Sequence, residues 1–557
     1  MAAGASEVFE YFRENAAGIE VIGVGCIGHC YAEPIIEVET DKGSVFYENA
    51  VPKKDFLEKV LNLKDVSRLH SRPERHDREL IKITRLAGRI DPISLEEYRA
   101  NGGYGALEKA LAMQPDAVVQ EVKLSGLRGR GGAGFTTGQK WSFLASKPDA
   151  QKVLICNADE GDPGAFMDRS MMESVPHQVL EGMLIAAHAT GATRIFIYCR
   201  AEYPLAIKHL KIAIQQIIDS QLNHLDGREI DIKIKEGAGA FVCGEETAMI
   251  HSLEGSRGTP RFRPPYPTDS GFKGYPTAIN NVETFANIPI IIEEGAEAFA
   301  AIGTAGSKGT KLFALAGDLK YPGLVEVPMG ITLGEVVYEI GGAERGSVKA
   351  VQIGGPSGGC IPAELFDVQI DYDSLKSLGA IMGSGGLIFI GNDRCMVETA
   401  RYFLDFTARE SCGKCTFCRI GTKRMLEVLE RITHGEGKLA DIDFLRDLGQ
   451  KITKGSLCGL GQTAPNPVLS TMRYYQNEYE KHVTDRQCDA LVCNALVEVF
   501  LDQEQCIECG LCIKTCPVSA ISDDFIIDNK LCTRCNSCIE VCPKDAIHRT
   551  ARGGAHV

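Results

Sequence analysis

The sequence predicts a multidomain α/β protein that passes into a helical segment and closes in a small cysteine-rich domain. Three observations predict it. A chain of 557 residues has the length for about three to five domains, each with its own core. Apolar runs of strand character, such as KVLICNA and RIFIYC, alternate with helical runs such as HQVLEGMLIAAHATG and YPLAIKHLKIAIQQIIDSQ, which marks an α/β layer. The 21 cysteines are clustered, and two matched groups, CIECGLCIKTCP and CTRCNSCIEVCP, fall within residues 501–557.

The elements follow in order. In residues 1–75, SEVFEYFREN has helical spacing, IEVIGVGC and EPIIEVETDKGSVFYENA read as strands with DKG as a turn, and KKDFLEKVLNL closes as an amphipathic helix. A polar, charged linker runs from Arg68 to Glu79. Residues 76–310 hold the α/β alternation. Residues 311–395 turn to short strands and Gly-rich turns, as in KLFALAGDL, GLVEVPMG and VKAVQIGGPSGG. Residues 396–480 are helical in period: MVETARYFLDFTARE, TKRMLEVLERITHG, IDFLRDLGQKIT and NPVLSTMRYYQNEYEKH. Residues 481–500 form a hinge ahead of the cysteine-rich tail, 501–557.

Composition excludes several roles. A net charge of −14 argues against nucleic acid as a partner and otherwise reads as solubility. No N-terminal basic stretch precedes a long apolar run, so no signal peptide is expected. The longest apolar runs, such as Ile288–Ile292, are too short for a membrane span. The expected location is the cytoplasm, where clustered cysteines read as metal sites rather than disulfides.

The tail is the most specific signal. C-x2-C-x2-C sets three thiolates on one loop, and the fourth cysteine, before proline, ligates the other cluster when two such runs interlock. Cys506, Cys509, Cys512 and Cys542 are therefore expected to hold one [4Fe–4S] cluster, and Cys516, Cys532, Cys535 and Cys538 a second. The tail resembles two-cluster bacterial ferredoxins. Zinc, the competing reading, usually takes its ligands in pairs.

Four stretches upstream bear on what feeds such a tail. In SGLRGRGGAGFTTGQKWSF, Gly129, Gly131 and Gly134 satisfy G-x-G-x-x-G, but the preceding VVQEVKLSG is no clean buried strand. Such a loop admits a phosphate or a flat ring close to backbone N–H groups; an ordinary glycine-rich turn is the alternative. The strand VLICNA runs into the acidic loop DEGDPGAFMDR, at the end of a strand where open α/β sheets bind ligands. GAGAFVCGEETAMIHSLEG carries Glu245 and Glu246, which also read simply as acids at a helix N-terminus. After RGTPRFRPPYP, the stretch TAINNVETFANIP places Asn280 and Asn281 where a helix would begin, a ready anion site.

Together these residues resemble the NADH-oxidising flavoprotein subunit shared by respiratory complex I, NAD-dependent hydrogenases and NAD-dependent formate dehydrogenases, most densely from Leu124 to Pro289. The resemblance implies FMN in a Rossmann-like domain with NADH stacked on it. Gly129, Arg130, Gly131, Gly132 and Lys140 would line the FMN. Asn157, Asp159 and Glu160 would hold its isoalloxazine and ribityl groups, with Phe241 and Gly244 beside them. Glu245 and Glu246 would sit at the nucleotide, Glu246 accepting from ribose hydroxyls. Asn280, Asn281 and Thr284 would hold the FMN phosphate, and Phe135, Phe143 and Tyr266 would sandwich the adenine. Glu160 and Glu246 are taken as the catalytic residues. The chain departs from the family pattern at Phe241, where Tyr is expected, at Tyr266, where Phe is expected, and at Thr136, where Pro is common. Glu246 favours NAD over NADP, because a carboxylate near the ribose repels a 2′-phosphate.

The resemblance extends further. Lys311 to Leu365 resembles the family's β-grasp domain, of the soluble ligand-binding type. ESCGKCTFCRIG supplies Cys412, Cys415 and Cys418, and SLCGLG supplies Cys458, for a third [4Fe–4S] cluster in a helical bundle; a zinc knuckle is the competing reading. In the hinge, His482, Cys488 and Cys493 suit Zn2+, with Cys395 of NDRCMVET as candidate fourth ligand; free core cysteines and a surface His are the alternative. Cys26 and Cys30, in GVGCIGHCYAEPIIEVE, resemble half of a thioredoxin-like [2Fe–2S] domain. Two thiolates do not supply four ligands, so a degenerate docking domain without a cluster is expected.

The expected function is NAD(H) oxidation or reduction at FMN, with single electrons carried through three [4Fe–4S] clusters in a soluble complex. Bifurcation with ferredoxin as second carrier follows from the resemblance of the tail and hinge to hydrogenase-type and transhydrogenase-type proteins. The implied partners are a catalytic subunit (hydrogenase, formate dehydrogenase or second flavoprotein) and a small thioredoxin-like [2Fe–2S] subunit. The alternatives are a formate dehydrogenase or non-bifurcating hydrogenase subunit, and a cluster-bearing relay without nucleotide chemistry.

Overall fold

A computed structural model describes residues 3–40, 43–64, 68–69, 76–148 and 151–552. Most of the DKG turn and part of the Arg68–Glu79 linker lie outside the described residues. The chain forms two units, Met1–Phe389 and Ile390–Val557.

The first unit opens with helix Ala5–Asn15, an antiparallel hairpin of Ile36–Thr40 and Gly43–Tyr47, and helix Lys54–Leu61. Val8, Phe12, Tyr47 and Leu57 close their core. The expected strand IEVIGVGC is not one: residues 19–26 join no sheet, with Ile19, Ile22 and Val24 exposed. Gly25 serves close packing instead; a Cβ there would lie 2.3 Å from that of Ser174.

The central layer is a four-stranded parallel sheet of β1 (Val153–Ala158), β2 (Arg194–Arg200), β3 (Asp231–Gly237) and β4 (Thr277–Asn281), in the order β3-β2-β1-β4. β1 is apolar and buried along nearly its whole length, as a parallel strand covered on both faces must be. Helix Pro176–Thr190 is buried at every position, opens with Pro176 and is capped by Gly191 at φ 74°. Proline at the first turn and a left-handed glycine after the last suit helix ends. The chain winds outward from β1 through β2 to β3 and then returns to lay β4 on the far side of β1. That reversal opens a crevice beyond the carboxyl ends of β1 and β4, where open α/β sheets bind ligands.

A second, mixed sheet comprises Thr310–Gly317, Gly323–Pro328, Val348–Ile353, Gly359–Pro362 and Gly386–Gly391, with the first and last strands side by side and parallel. Buried Glu326 on its second strand accepts from the backbone N–H groups of Lys82, Ile83 and Thr84, fastening the chain after the linker to this sheet.

The second unit is helical from Met396 to Thr484. The run NPVLSTMRYYQNEYEKH forms two helices, Asn466–Tyr474 and Gln476–Thr484, broken at Tyr475. The break turns Tyr479 fully inward, where its hydroxyl meets Thr471 Oγ1 at 2.8 Å. In the tail, strands Val497–Leu501 and Ile547–Ala551 pair antiparallel and bring its two ends together.

Candidate functional site

The glycine-rich loop follows helix Pro115–Leu124, not a strand, so it is no standard dinucleotide turn. It is cinched by Gly129 N–H to Phe135 C=O (2.8 Å) and Thr137 N–H to Leu127 C=O (2.9 Å), and it leads into helix α1 (Thr137–Ala145). Arg130 N–H donates to Thr284 Oγ1 at 2.9 Å, laying the loop on the start of helix α3 (Val282–Glu294). The approach is tight at Gly131 and requires glycine at Gly134. A Cβ on Gly131 would stand 3.1 Å from Asn281 Cβ, and Gly134, at φ +65°, would drive one to 2.5 Å from the Tyr372 ring. The Arg130 guanidinium is fully buried and donates to the Arg128 and Lys308 carbonyls.

β1 and β4 bring Asn157 and Asn281 into register. Asn157 donates to Gly244 C=O at 2.9 Å and accepts from Asp159 N–H at 3.1 Å, joining the loops that follow β1 and β3. Asn281 caps α3: its Oδ1 accepts from Thr284 N–H, and its Nδ2 reaches Asp168. Asn280 accepts from Trp141 Nε1 of α1 at 3.1 Å. Glu160 does not point freely outward. Its two carboxylate oxygens accept from the N–H groups of Asp168 and Arg169, the start of helix Met167–Ser174. Burial holds its carboxyl above the ordinary range.

Sequence reasoning passed over Asp162 in the same loop. Burial raises it to about 6, and its carboxylate accepts from Ser384 Oγ at 2.6 Å. Its partner lies 222 residues on, so no local pattern could have singled it out.

Glu245 and Glu246 divide their work. Glu245 caps helix α2 (Glu246–Leu253), accepting from the N–H groups of Thr247 and Ala248, the reading of acids at a helix start. Glu246 receives Lys140 Nζ at 2.8 Å, and Arg263 lies 3.7 Å away; burial pushes its carboxyl up, but Lys140 and then Arg263 outweigh that and lower it. Lys140 also donates to Ile279 C=O of β4. Phe135, Phe143 and Tyr266 are 48%, 43% and 54% exposed, so none is consumed by the core. Phe241 lies against Gly161, where a Cβ would meet its ring at 2.4 Å.

In the second unit, Cys412, Cys415 and Cys458 lie beside Cys418. Burial pushes the Cys418 thiol up to about 11, with smaller help from Cys415, Cys458 and Cys412 and against the hydrogen bond with Ser411. In the tail, one cavity is lined by Cys506, Cys509, Cys512 and Cys542, and another by Cys516, Cys532, Cys535 and Cys538, three from one run and one from the other in each. This 3+1 exchange suits interlocked cubes.

The hinge residues converge too. The ligand atoms of Cys395, His482, Cys488 and Cys493 all lie within 4.8 Å of one another and are buried. Cys395 and Cys493 sulfurs are 3.8 Å apart, and each lies 3.3 Å from His482 Nε2. A tetrahedron with Zn–S near 2.3 Å spaces its sulfurs about 3.8 Å apart. His482 Nδ1–H donates to Glu478 C=O at 2.7 Å, leaving Nε2 as the ligand atom. The donor set therefore fits zinc. Arg552 N–H bonds Leu496 C=O and Gln487 bonds Arg552 C=O, so both ends of the tail are tied beside this cluster.

Near the N-terminus, Cys26 donates to Glu33 at 3.1 Å and its thiol contacts that of Cys30.

Residues 122–290 match the Nuo51 FMN-binding domain, residues 398–482 the NADH-ubiquinone oxidoreductase-F iron–sulfur binding region, and residues 499–522 and 525–548 the 4Fe-4S binding domain. The chain is 55% identical over 445 residues to HndC, a component of the NADP-reducing hydrogenase of Solidesulfovibrio fructosivorans, covering 79% of this chain and 91% of that one. It is 44% identical over 401 residues to a component of the NADH-quinone oxidoreductase of Rhizobium meliloti, covering 71% and 95%. Among solved structures, it is similar to a chain of the NAD+-reducing [NiFe]-hydrogenase in the H2-reduced state, at 32% identity and TM-score 0.65, covering 87% of this chain and 81% of that one.

Proposed function

Because this chain belongs to the family of FMN-binding, iron–sulfur NADH dehydrogenase subunits, we propose that it exchanges hydride with NAD(H) at the crevice between β1 and β4. We propose further that electrons pass singly through three [4Fe–4S] clusters. The carrying observation is the convergence at one end of the sheet of the glycine-rich loop, Asn157, Asp159, Asn280, Asn281 and the Lys140–Glu246 pair. A bound flavin supplies two-electron acceptance with one-electron release. On this reading the loop backbone and α3 receive the flavin, Glu246 accepts from ribose hydroxyls, and the exposed aromatics take the adenine. Glu160 acts by fixing its loop rather than by touching substrate.

The twelve clustered cysteines Cys412, Cys415, Cys418, Cys458, Cys506, Cys509, Cys512, Cys516, Cys532, Cys535, Cys538 and Cys542 are the proposed cluster ligands. Zinc at Cys395, His482, Cys488 and Cys493 is proposed as a clasp for the tail. NAD is preferred over NADP on account of Glu246, although one relative is named NADP-reducing. The proposed setting is a soluble cytoplasmic complex with a catalytic subunit and a small [2Fe–2S] subunit, with ferredoxin as second carrier in a bifurcating scheme. Among the described residues no helix is long and apolar enough to cross a membrane. Anaerobic purification with a flavin spectrum, followed by NADH addition, tests the reading: bleaching of bound flavin supports it, and a flavin-free chain inert to NADH and FMN overturns it.

A further inference from the structure

Arg200 ends β2, the strand between β1 and β3. Its Nη1–H donates to Glu160 C=O, in the loop after β1, at 2.8 Å. Its Nη2–H donates to Glu202 at 3.2 Å. Glu202 in turn abuts the segment after β3: a Cβ on Gly239 would stand 2.8 Å from Glu202 Oε1. Tyr203 hydroxyl donates to the same Glu160 carbonyl at 3.1 Å. Gly161 is held between the two loops, where a Cβ would meet the Phe241 ring at 2.4 Å and Arg200 Nη1 at 3.2 Å. One guanidinium thus bonds the loop after β1, lies at Gly161 where Phe241 of the segment after β3 closes on that loop, and pairs with Glu202 beside Gly239. The first loop carries Asp159 and follows Asn157; the second runs on to Phe241, Glu245 and Glu246.

We propose that Arg200 is a positioning residue for hydride transfer, fixing the spacing between the loop that faces the flavin and the loop that faces the nucleotide. This rests on the function proposed above. A planar guanidinium holds two acceptors in fixed relation, which a lysine ammonium on a flexible stem does not. Hydride transfer depends steeply on that relation: a misplacement of about 1 Å costs on the order of 100-fold in rate. The Arg200 charge also opposes the burial that raises Asp162 in the same loop.

The test uses the full chain with Arg200→Gln, Arg200→Lys and Tyr203→Phe. Hydrogen exchange on the flavin-free proteins reads the brace without chemistry. Arg200→Gln is expected to speed exchange in both 159–162 and 238–244, and Tyr203→Phe in 159–162 alone. In the loaded proteins, Arg200→Gln is expected to keep FMN content and the NADH KM within about 2-fold while NADH-to-dye turnover falls about 10-fold or more. The deuterium isotope effect on the transferred hydride should rise as that step becomes limiting, with Arg200→Lys in between. Exchange changes confined to 159–162 in Arg200→Gln, or unchanged turnover and isotope effect at full flavin content, would overturn the proposal. If Arg200→Gln does not retain flavin, Arg200→Lys decides: lowered turnover at parental flavin content supports the brace, and parental turnover overturns it. A parent chain that takes up no FMN would fail the functional reading instead, and the exchange pattern alone would then judge the brace.

Discussion

Replacing Glu246 with Gln removes one charge from a balanced group of four. Lys140 and Arg263 face Glu245 and Glu246, at 2.8 Å between Lys140 and Glu246 and 2.9 Å between Arg263 and Glu245. The local charge therefore moves from zero to plus one. The NADH side loses a charge-assisted hydrogen bond to ribose, worth about 1.5–3 kcal/mol, so kcat/KM for NADH should fall about 10- to 100-fold. The NADPH side loses repulsion. A carboxylate about 5 Å from a phosphate charge, at an effective dielectric near 20, opposes binding by about 3 kcal/mol. The Glu246 side chain is 32% exposed, and solvent screening cuts that to about 1 kcal/mol, or about 5-fold in NADPH use. Discrimination between the two nucleotides should then drop about 50- to 500-fold. The assay is dye reduction with each nucleotide at matched flavin content. Unchanged kinetics with both would refute the assignment of Glu246 to the ribose.

Two further outcomes follow from the structure. Cys488→Ser should lose zinc by elemental analysis and impair electron exchange with ferredoxin while NADH-to-dye reduction stays nearly intact, since both ends of the tail are tied beside the cluster; equal loss of both activities would indicate misfolding, and full zinc with both activities intact would make these residues mere linker. Burial lowers His177 from 6.5 to about 4, so the stability gained by keeping it neutral is complete above pH about 6.5 and drains away as pH falls toward 4, by about 3 kcal/mol. His177→Gln should flatten that window in urea unfolding at stepped pH, and an unchanged slope would show that His177 does not titrate there.

Much of this architecture could be read from one sequence because its strongest signals are local. Strand and helix runs in the central layer carried their own periodicity, and the C-x2-C-x2-C spacing fixes three thiolates on one loop. The fourth cysteine lining each tail cavity was legible because the two runs sit close together in sequence. Cys395 was harder, 87 residues from His482, and was reached only through resemblance. Where the reading fell short, tertiary contacts decided. IEVIGVGC has strand composition, but Gly25 is pressed onto Ser174 and the segment joins no sheet among the described residues. NPVLSTMRYYQNEYEKH has one helical period, yet burying Tyr479 breaks it at Tyr475. Glu160 stands in an acidic loop that reads as ligand-facing, while two backbone N–H groups several residues later hold its carboxylate. Asp162 and Arg200 owe their places to partners far along the chain, Ser384 and the Glu160 carbonyl, which no local pattern encodes.

On the proposed reading, one chain takes hydride from NADH and releases its electrons into its own clusters. The direct measurement is an anaerobic NADH titration of the reconstituted full chain, following flavin and cluster absorbance, with iron and FMN quantified on the same sample. One FMN and about twelve iron atoms per chain are expected, with flavin bleaching accompanied by cluster reduction in the absence of any partner. Iron near eight per chain, or clusters that stay oxidised under excess NADH while dithionite reduces them, would contradict it.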